Sequence, residues 1–318
     1  MPSSLSWKRS IRGRVRAAQL AAAAPVLQRL DDDAVTRARI FLDQRETAAT
    51  DPVSAHELKV FSQFGEDGIL DFLLRHAAQP VPRTFVEFGV EDYRESNTRL
   101  LCELGGWRGL IIDGGSAHLR FAKRRKLSTH RGLRAVQSFL TTDNIASVIE
   151  AHAPAGPLGI LSVDVDGVDH WLSQAITARP AIVVSECNPY FGSTLAVSIP
   201  DEPAFDRLAA HPSGVYYGAS VTALHDLWTG RGYRLVGVSS EGLNLFFVRD
   251  DHCHPSWGLS VAEAYVAPSF SPSLGPAGVP LAHLPRCEAL APARDLPLVN
   301  TRTGARLRVA DVLDEVDA

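Results

Sequence analysis

The sequence predicts an α/β protein whose central, mostly parallel sheet is covered by helices on both faces. From about residue 56, short apolar strands alternate with helical segments, as in parallel sheets, where each crossover needs a helix. The last two strands are separated only by Ser-Ser-Glu-Gly (239–242), which is too short for a parallel crossover and therefore predicts an antiparallel hairpin. The 318 residues, 45% of them hydrophobic, are enough to bury a large core.

Seven strands and six helices follow from this alternation. The first five strands each follow a helical segment, and all seven are short apolar runs bounded by polar or glycine residues. The predicted strands are 84–89, 109–113, 133–139, 158–164, 181–186, 233–238 and 243–249. The predicted helices cover about 65–77, 96–105 and 116–127, a segment opening at 143–144, and about 168–177 and 219–230.

Residues 1–50 are predicted to form a helical extension of two helices. Apolar residues spaced at i, i+4, i+7 and i+11 define the first helix, which we expect to end at Pro25. The acidic run 31–33 should open a second helix that reaches Gln44. We expect this extension to pack on the main domain or to form a contact in a homo-oligomer. A basic amphipathic helix that touches a membrane surface is the alternative.

Composition excludes several classes of protein. The formal net charge of −4 gives no reason to expect a nucleic-acid partner. The four cysteines are scattered without a CxxC pair, which favours free thiols over disulfides or a zinc site. No run is long enough to be a transmembrane segment, the resemblance of the N-terminus to a signal peptide is weak, and a cytoplasmic location is expected. The proline-rich residues 251–318 are predicted to be an irregular extension or a lid, beside an α/β domain at 51–250.

Polar residues at the ends of the first two strands predict a cofactor site. In an open parallel sheet, ligands bind outside the carboxyl ends of the strands. The first strand ends with Glu87 and Gly89, and the second ends with Asp113. A glycine there lets the backbone approach a ligand closely, and an acid at the second strand is placed to accept hydrogen bonds from the hydroxyls of a ribose. The sequence therefore predicts an adenosine-containing cofactor.

The fourth and fifth strands end in hard oxygen ligands. These residues are Asp164, Asp166, Glu186 and Asn188. Neighbouring strand ends bring them together, and the set suits Mg²⁺, Mn²⁺ or Ca²⁺, which would act as a Lewis acid on an acceptor oxygen. In the alternative interpretation, the two aspartates cap the next helix and Asn188 fixes a turn.

The segment Ser-Gln-Phe-Gly-Glu-Asp-Gly (62–68) precedes the first strand and opens a helix. Two interpretations fit it equally. Ser62 and Glu66 resemble a helix-capping arrangement, or the segment is a loop that folds over the cofactor pocket.

Together, these segments resemble a branch of the class I methyltransferases related to the FkbM-type enzymes. The resemblance covers about residues 60–250. Its elements are Ser-Gln-Phe-Gly-Glu-Asp-Gly (62–68), Phe-Val-Glu-Phe-Gly-Val-Glu (85–91), Ser-Asn-Thr-Arg-Leu-Leu (96–101), Gly-Trp-Arg-Gly-Leu-Ile-Ile-Asp-Gly (106–114), Leu-Ser-Val-Asp-Val-Asp-Gly (161–167), Tyr-Tyr-Gly-Ala-Ser (216–220), Gly-Tyr-Arg-Leu-Val-Gly (232–237) and Asn-Leu-Phe-Phe-Val-Arg (244–249). The resemblance implies a Rossmann-like class I sheet of five parallel strands plus a C-terminal antiparallel hairpin. It also implies S-adenosylmethionine as cofactor, and a sugar-like, glycan or natural-product acceptor.

The resemblance also implies roles for single residues. Glu87 and Gly89 would line the methionine side of the cofactor and Asp113 would hold the ribose. Apart from the resemblance, we also predict that Gln63, Glu91 and Asn97 bind the cofactor. The acids after strands four and five look like the Mg²⁺ site of catechol- and sugar-O-methyltransferases, with Asp164, Glu186 and Asn188 as ligands. Asp164 or His170 would be the catalytic base.

One departure from the family pattern affects the predicted function. The usual cofactor loop has glycines at alternate positions, whereas Glu91 and Tyr93 follow Gly89 here, and their side chains would crowd the methionine end. The leading hypothesis is an S-adenosylmethionine-dependent O-methyltransferase that uses Mg²⁺ or Mn²⁺. The alternatives are an enzyme of the same fold that carries out metal-assisted hydrolysis or another group transfer, and a non-catalytic binding subunit.

Overall fold

A computed structural model describes residues 4–269 and 279–317, without the side chains of residues 4–22 and 24. The chain divides into two compact units, residues 1–45 and residues 46–318. Across the described residues, no helix combines the length and apolar character needed to cross a bilayer.

The first unit is built on one helix, α1 (Ser4–Gln44), with Pro25 inside it. The prediction of two helices broken at Pro25 was therefore wrong. Proline removes one backbone hydrogen bond and costs about 3 kcal/mol in a helix interior. The alanine-rich run before Pro25 has a strong helical propensity, so the helix continues through it. The acidic run 31–33 consequently lies inside the helix, where Asp32 accepts a hydrogen bond from the Thr36 hydroxyl through its carbonyl oxygen.

The second unit contains a seven-stranded sheet in the order β3-β2-β1-β4-β5-β8-β7. The first five strands are parallel, and β8 is antiparallel to both β5 and β7. This is the predicted Rossmann-like class I sheet, so the fold class is confirmed. The strands are β1 (Thr84–Phe88), β2 (Arg108–Asp113), β3 (Leu133–Gln137), β4 (Ile160–Val163), β5 (Ile182–Glu186), β7 (Tyr233–Val238) and β8 (Asn244–Arg249), with β6 (Val197–Ser198) outside this sheet.

Helices cover both faces of the sheet because its strands are apolar on both sides. One face packs against α2 (Glu66–His76), α3 (Arg99–Leu104), α4 (Ala117–Arg124) and α5 (Leu127–His130). The other packs against α6 (Ile145–His152), α7 (Asp169–Ala175) and α9 (Val221–Thr229), and a short helix α8 (Arg207–Ala210) lies between β6 and α9. Phe85 and Val86, adjacent on β1, point to opposite faces and enter the two separate cores.

The described part of residues 251–318 belongs to the same compact unit as the sheet. It contains α10 (Val261–Ala264), α11 (Arg286–Leu290), β9 (Pro297–Asn300) and β10 (Arg306–Arg308). Strands β10, β9 and β6 form a small antiparallel sheet. Leu290, Leu298 and Val309 are fully buried in the core on the α6–α7–α9 face, so this region completes that core.

Candidate functional site

The turn after β1 brings two strand ends into direct contact. Gly89 has a φ of +71°, and its N–H donates to the carbonyl oxygen of Ile112 on β2 at 3.1 Å. A Cβ at this position would lie 1.5 Å from the carbonyl oxygen of Asp164, which follows β4. Only glycine fits this approach.

The loop after Gly89 has a positive φ at alternate positions. Glu91 has a φ of +46° and Tyr93 a φ of +63°, conformations that cost non-glycine residues energy and that concentrate at functional sites. These alternate positions are where a glycine-rich loop carries its glycines. The Tyr93 ring is fully buried in the core, and its hydroxyl lies 3.2 Å from that of Thr98. Tyr93 therefore lines neither cavity, whereas Glu91 lines both.

Glu87, on β1, organises the segment that opens α3. Its two carboxylate oxygens accept four hydrogen bonds, from the Ser96 hydroxyl, the Asn97 N–H and the N–H and hydroxyl of Thr98. Burial raises the pKa of Glu87 above its usual value, and this effect outweighs the hydrogen bonds, which lower the pKa. Asn97 also donates from its side chain to the Ser162 hydroxyl on β4 at 3.1 Å. Glu87 and Asn97 are thus part of the hydrogen bonds that hold the loop at 96–98 to strands β1 and β4.

A first cavity of about 280 Å³ lies over the ends of β1, β2, β3 and β4. The reversal of strand order between β1 and β4 makes this the point where open α/β sheets bind ligands. Asp113 forms part of its polar side. Its Oδ2 accepts from the Glu91 N–H at 2.8 Å and its Oδ1 from the Gly115 N–H at 2.6 Å. Its apolar side consists of Ile112, Phe139, Leu140, Val168, Leu172 and Phe205.

A second cavity of about 270 Å³ adjoins the first, and the two share Gly89, Glu91, Asp164 and Asp166. Its other lining residues are mainly polar and include Gln63, Arg94, Ser96, Asn97, Glu186, Arg207 and Asn244. The predicted site residues Gln63, Glu87, Gly89, Glu91 and Asn97 therefore surround one cavity, and Asp113 lines its neighbour.

Three carboxylates converge where the cavities meet. Asp164, Asp166 and Glu186 each place one oxygen so that the three lie within 4.8 Å of one another. Burial and the charges of Asp166 and Asp169 raise the pKa of Asp164, and burial and Asp164 raise that of Glu186. Glu186 is 8% exposed, and its Oε2 has no hydrogen-bond partner in the described structure. Carboxylates this close together, one of them buried, favour either a proton or a bound cation.

Asp169 holds the loop that carries two of these acids. Its Oδ1 accepts from the Val165 N–H at 2.7 Å and its Oδ2 from the Gly167 N–H at 2.9 Å. Burial raises its pKa to about 6, against these backbone hydrogen bonds, which lower it. The alternative interpretation gave a capping role to Asp164 and Asp166, but Asp169 binds the loop N–H groups. Asp166 has a φ of +57° and an exposed carboxylate.

Two predicted site residues, Asn188 and His170, line neither cavity. Asn188 is fully buried; its Oδ1 accepts from the Tyr190 N–H and its Nδ2 donates to the carbonyl oxygens of Val215 and Tyr217. These contacts hold the turn at Pro189, and the role of Asn188 as a metal ligand stays a prediction. His170 is 4% exposed and lines neither cavity. Burial and the nearby Arg231 lower its pKa to about 4.

The segment at 62–68 is held by its own hydrogen bonds, and α2 begins after Gly65, a cap residue without a side-chain hydrogen bond. Asp67 accepts through Oδ2 from the N–H groups of Val60, Phe61 and Ser62 and from the Ser62 hydroxyl, while Ser62 accepts from the Asp67 N–H. Glu66 accepts from the Asn244 side chain at 2.6 Å. These contacts fix the start of α2 and leave Gln63, which is exposed, on the wall of the second cavity.

Replacing Asp67 by asparagine should make stability less dependent on pH. Burial raises the pKa of Asp67 from 3.8 to about 6, against the hydrogen bonds, which lower it. The folded state therefore takes up a proton that the unfolded chain releases, and this stabilisation, complete below pH 3.8, is lost as pH rises through about 6. From pH 4 to pH 7 the wild type should lose up to about 3 kcal/mol relative to D67N.

Urea unfolding of both proteins at pH 4, 5, 6 and 7 measures this difference. L74A, which shortens a side chain of the same helix that carries no titratable group, should show a constant offset from the wild type. A constant offset for D67N as well would mean that the Asp67 carboxyl does not titrate in this range.

Sequence reasoning missed three residues of the site. Asn244 opens β8 opposite Glu186, and only the resemblance pointed to its segment. Asp169 could have been found from local sequence, because acidic residues are common where a helix begins. Arg207 could not be found in this way. It opens the short helix α8, and its guanidinium approaches the acids through tertiary structure alone: its Nη1 is 2.6 Å from Asp166 Oδ1 and 4.0 Å from Glu186 Oε1.

No protein-family model matches the chain, and no curated protein matches it. The FkbM-like branch therefore stays a prediction. Among solved structures, the chain is similar to an O-methyltransferase from Bacillus cereus in complex with SAH, with 15% identity and a TM-score of 0.36 over 72% of this chain and 95% of that one. It is also similar to an O-methyltransferase family protein from Burkholderia thailandensis, with 11% identity and a TM-score of 0.35 over 75% of this chain and 64% of that one. Likeness at this level says nothing about the cofactor or acceptor of this chain.

Proposed function

We propose that this protein is an S-adenosylmethionine-dependent methyltransferase that transfers a methyl group to a hydroxyl of a sugar-like or natural-product acceptor, assisted by a divalent cation. One observation carries the proposal: the Asp113 carboxylate, fixed by two backbone N–H groups, lies beside an apolar cavity at the point where the strand order reverses.

The first cavity suits an adenosine. Each Asp113 oxygen accepts one backbone hydrogen bond, which leaves it the capacity to accept another from a ribose hydroxyl. The apolar side, with Phe139 and Phe205, suits a purine ring. The shared wall at Gly89 and Glu91 then directs the methionine end into the second cavity.

The polar second cavity suits a hydroxylated acceptor. We assign Asp164 as the base, because it lines both cavities whereas His170 lines neither. The acceptor hydroxyl gives its proton to the ionised Asp164 carboxylate, and its oxygen forms a bond to the methyl carbon as the bond from that carbon to sulfur breaks. Burial raises the pKa values of Asp164 and Glu186, and a raised pKa makes an ionised carboxylate a stronger proton acceptor.

The three carboxylates fit a divalent cation in ligand type, and Glu186 Oε2, which has no hydrogen-bond partner among the described residues, is available as a further ligand atom. Asp164, Asp166 and Glu186 would hold Mg²⁺ or Mn²⁺. When bound, the cation would act as a Lewis acid that lowers the pKa of an acceptor hydroxyl.

Calorimetric titration of S-adenosylmethionine and S-adenosylhomocysteine, with and without Mg²⁺ or Mn²⁺, tests the cofactor. The wild type should bind both ligands. D113A should weaken binding by at least about 100-fold, because two hydrogen bonds to a charged group are lost.

D250A is the matched control, because it removes a carboxylate that follows β8 and lines neither cavity. It should bind like the wild type. Absence of binding by the wild type under every metal condition would refute the methyltransferase proposal, and equal binding by D113A and wild type would refute the assigned ribose site.

A further inference from the structure

Arg207 places a positive charge inside the acidic group. Its Nη1 donates to Asp166 Oδ1 at 2.6 Å and lies 4.0 Å from Glu186 Oε1. The guanidinium carbon lies 3.5 Å from the centre of the Tyr217 ring, and Nε donates to the Gly214 carbonyl oxygen at 2.6 Å. A stacked, doubly anchored arginine is well fixed.

We infer that Arg207 is an internal cation of this site, which competes with the divalent ion for Asp166 and Glu186, so that the ion binds only by displacing the guanidinium. The inference rests on the metal-assisted function proposed above. It makes Arg207 the residue that sets the affinity of the site for its ion.

Charge balance supports the competition. Three carboxylates whose oxygens lie within 4.8 Å repel one another when ionised. In the described structure the Arg207 guanidinium approaches two of them, and its Nη1 lies at hydrogen-bond distance from Asp166 Oδ1. A divalent ion ligated by Asp166 and Glu186 would lie close to the guanidinium, and the two like charges would repel each other at short range.

The position of Arg207 in the chain allows this displacement. It opens α8, a helix of four residues, and its neighbours Asp206 and Leu208 are exposed. The ion-pairing Nη1 and the backbone-bound Nε are on the same guanidinium, so a rotation of the side chain away from Asp166 breaks both contacts while the helix stays in place.

Electron paramagnetic resonance of Mn²⁺ titrated with the full-length protein tests the inference without an acceptor. R207Q should bind Mn²⁺ at least about tenfold more tightly than the wild type, because a competing unit charge within 4 Å is removed. R94Q is the matched control: Arg94 lines the same cavity but pairs with Asp92 at 3.2 Å. It should change the affinity by less than about twofold, since exposed charges are screened.

Thermal unfolding with and without Mn²⁺ provides a second readout. Without the ion, R207Q should have a lower melting temperature than the wild type, because its acids lack their cation. For the same reason, Mn²⁺ should raise the melting temperature of R207Q by more than that of the wild type. R207K, which keeps the charge but loses the forked geometry, should fall between the two.

Equal or weaker Mn²⁺ binding by R207Q would overturn the inference, and so would an equal gain in R94Q, which would indicate a long-range charge effect. If none of the variants binds Mn²⁺, the ion site fails together with the inference. The cofactor titration still decides separately whether the protein is a methyltransferase.

Discussion

G89A should abolish S-adenosylhomocysteine binding and destabilise the protein by about 3 kcal/mol or more. The added Cβ would lie 1.5 Å from the Asp164 carbonyl oxygen, so the ends of β1 and β4 must separate. The φ of +71° adds backbone strain for any residue with a Cβ. Because the ends of both strands line the two cavities, the loss of stability and the loss of the site should occur together. Urea unfolding and calorimetric titration measure the two effects.

G304A separates the strain from the steric clash. Gly304 has a φ of +73°, close to that of Gly89, and a Cβ there meets nothing within 4 Å. This variant should lose only about 1–2 kcal/mol of stability, the usual strain of a left-handed residue, and bind the cofactor normally. If G89A were no less stable than G304A, the close approach of the two strand ends in the structure would be wrong.

The sheet was predictable because its causes are local. Each strand is a short apolar run, and each connection has a length that permits either a crossover or a hairpin, so alternation alone predicts five parallel strands and one antiparallel hairpin. The N-terminal helix was predicted less well. Pro25 is a strong local indication of a break, yet the propensity of the residues around it outweighs the single hydrogen bond that proline removes.

The site was predictable where strand ends define it. Gly89, Asp113, Asp164 and Glu186 all follow or end parallel strands, and the structure brings them to adjoining cavities. The contacts of Asn188 were not predictable, because its amide donates to carbonyl oxygens at Val215 and Tyr217, about thirty residues later, which no local pattern shows.

Arg207 was missed for a related reason. Its partners lie on other elements of the fold, and the segment that carries it has neither periodicity nor a motif. The acids of this site lie where they do because strands end there, which the sequence shows. The positive charge beside them is brought there by tertiary contacts, which the sequence does not show.

E87A should be the other variant with a large effect, with a loss of about 3 kcal/mol or more in stability and weakened cofactor binding. Removal of the carboxylate leaves two backbone N–H groups and two hydroxyls without their buried acceptor. The loop at 96–98 then loses its connection to β1, and two of its residues line the second cavity.

A graded series makes this prediction specific. In E87Q the remaining oxygen can still accept from Ser96 and Thr98, while its amide opposes the Asn97 N–H, so the loss should be smaller than in E87A. E95A is the control, because Glu95 lines the same cavity with an exposed carboxylate that lies 3.9 Å from the Lys59 ammonium. This variant should change the free energy of unfolding by less than about 0.5 kcal/mol. The expected order of destabilisation in urea is E87A, then E87Q, then E95A. An E87A protein as stable as E95A would show that the 96–98 loop holds its shape without Glu87, and the cofactor site would then owe its geometry to the Gly89 turn and Asp113 alone.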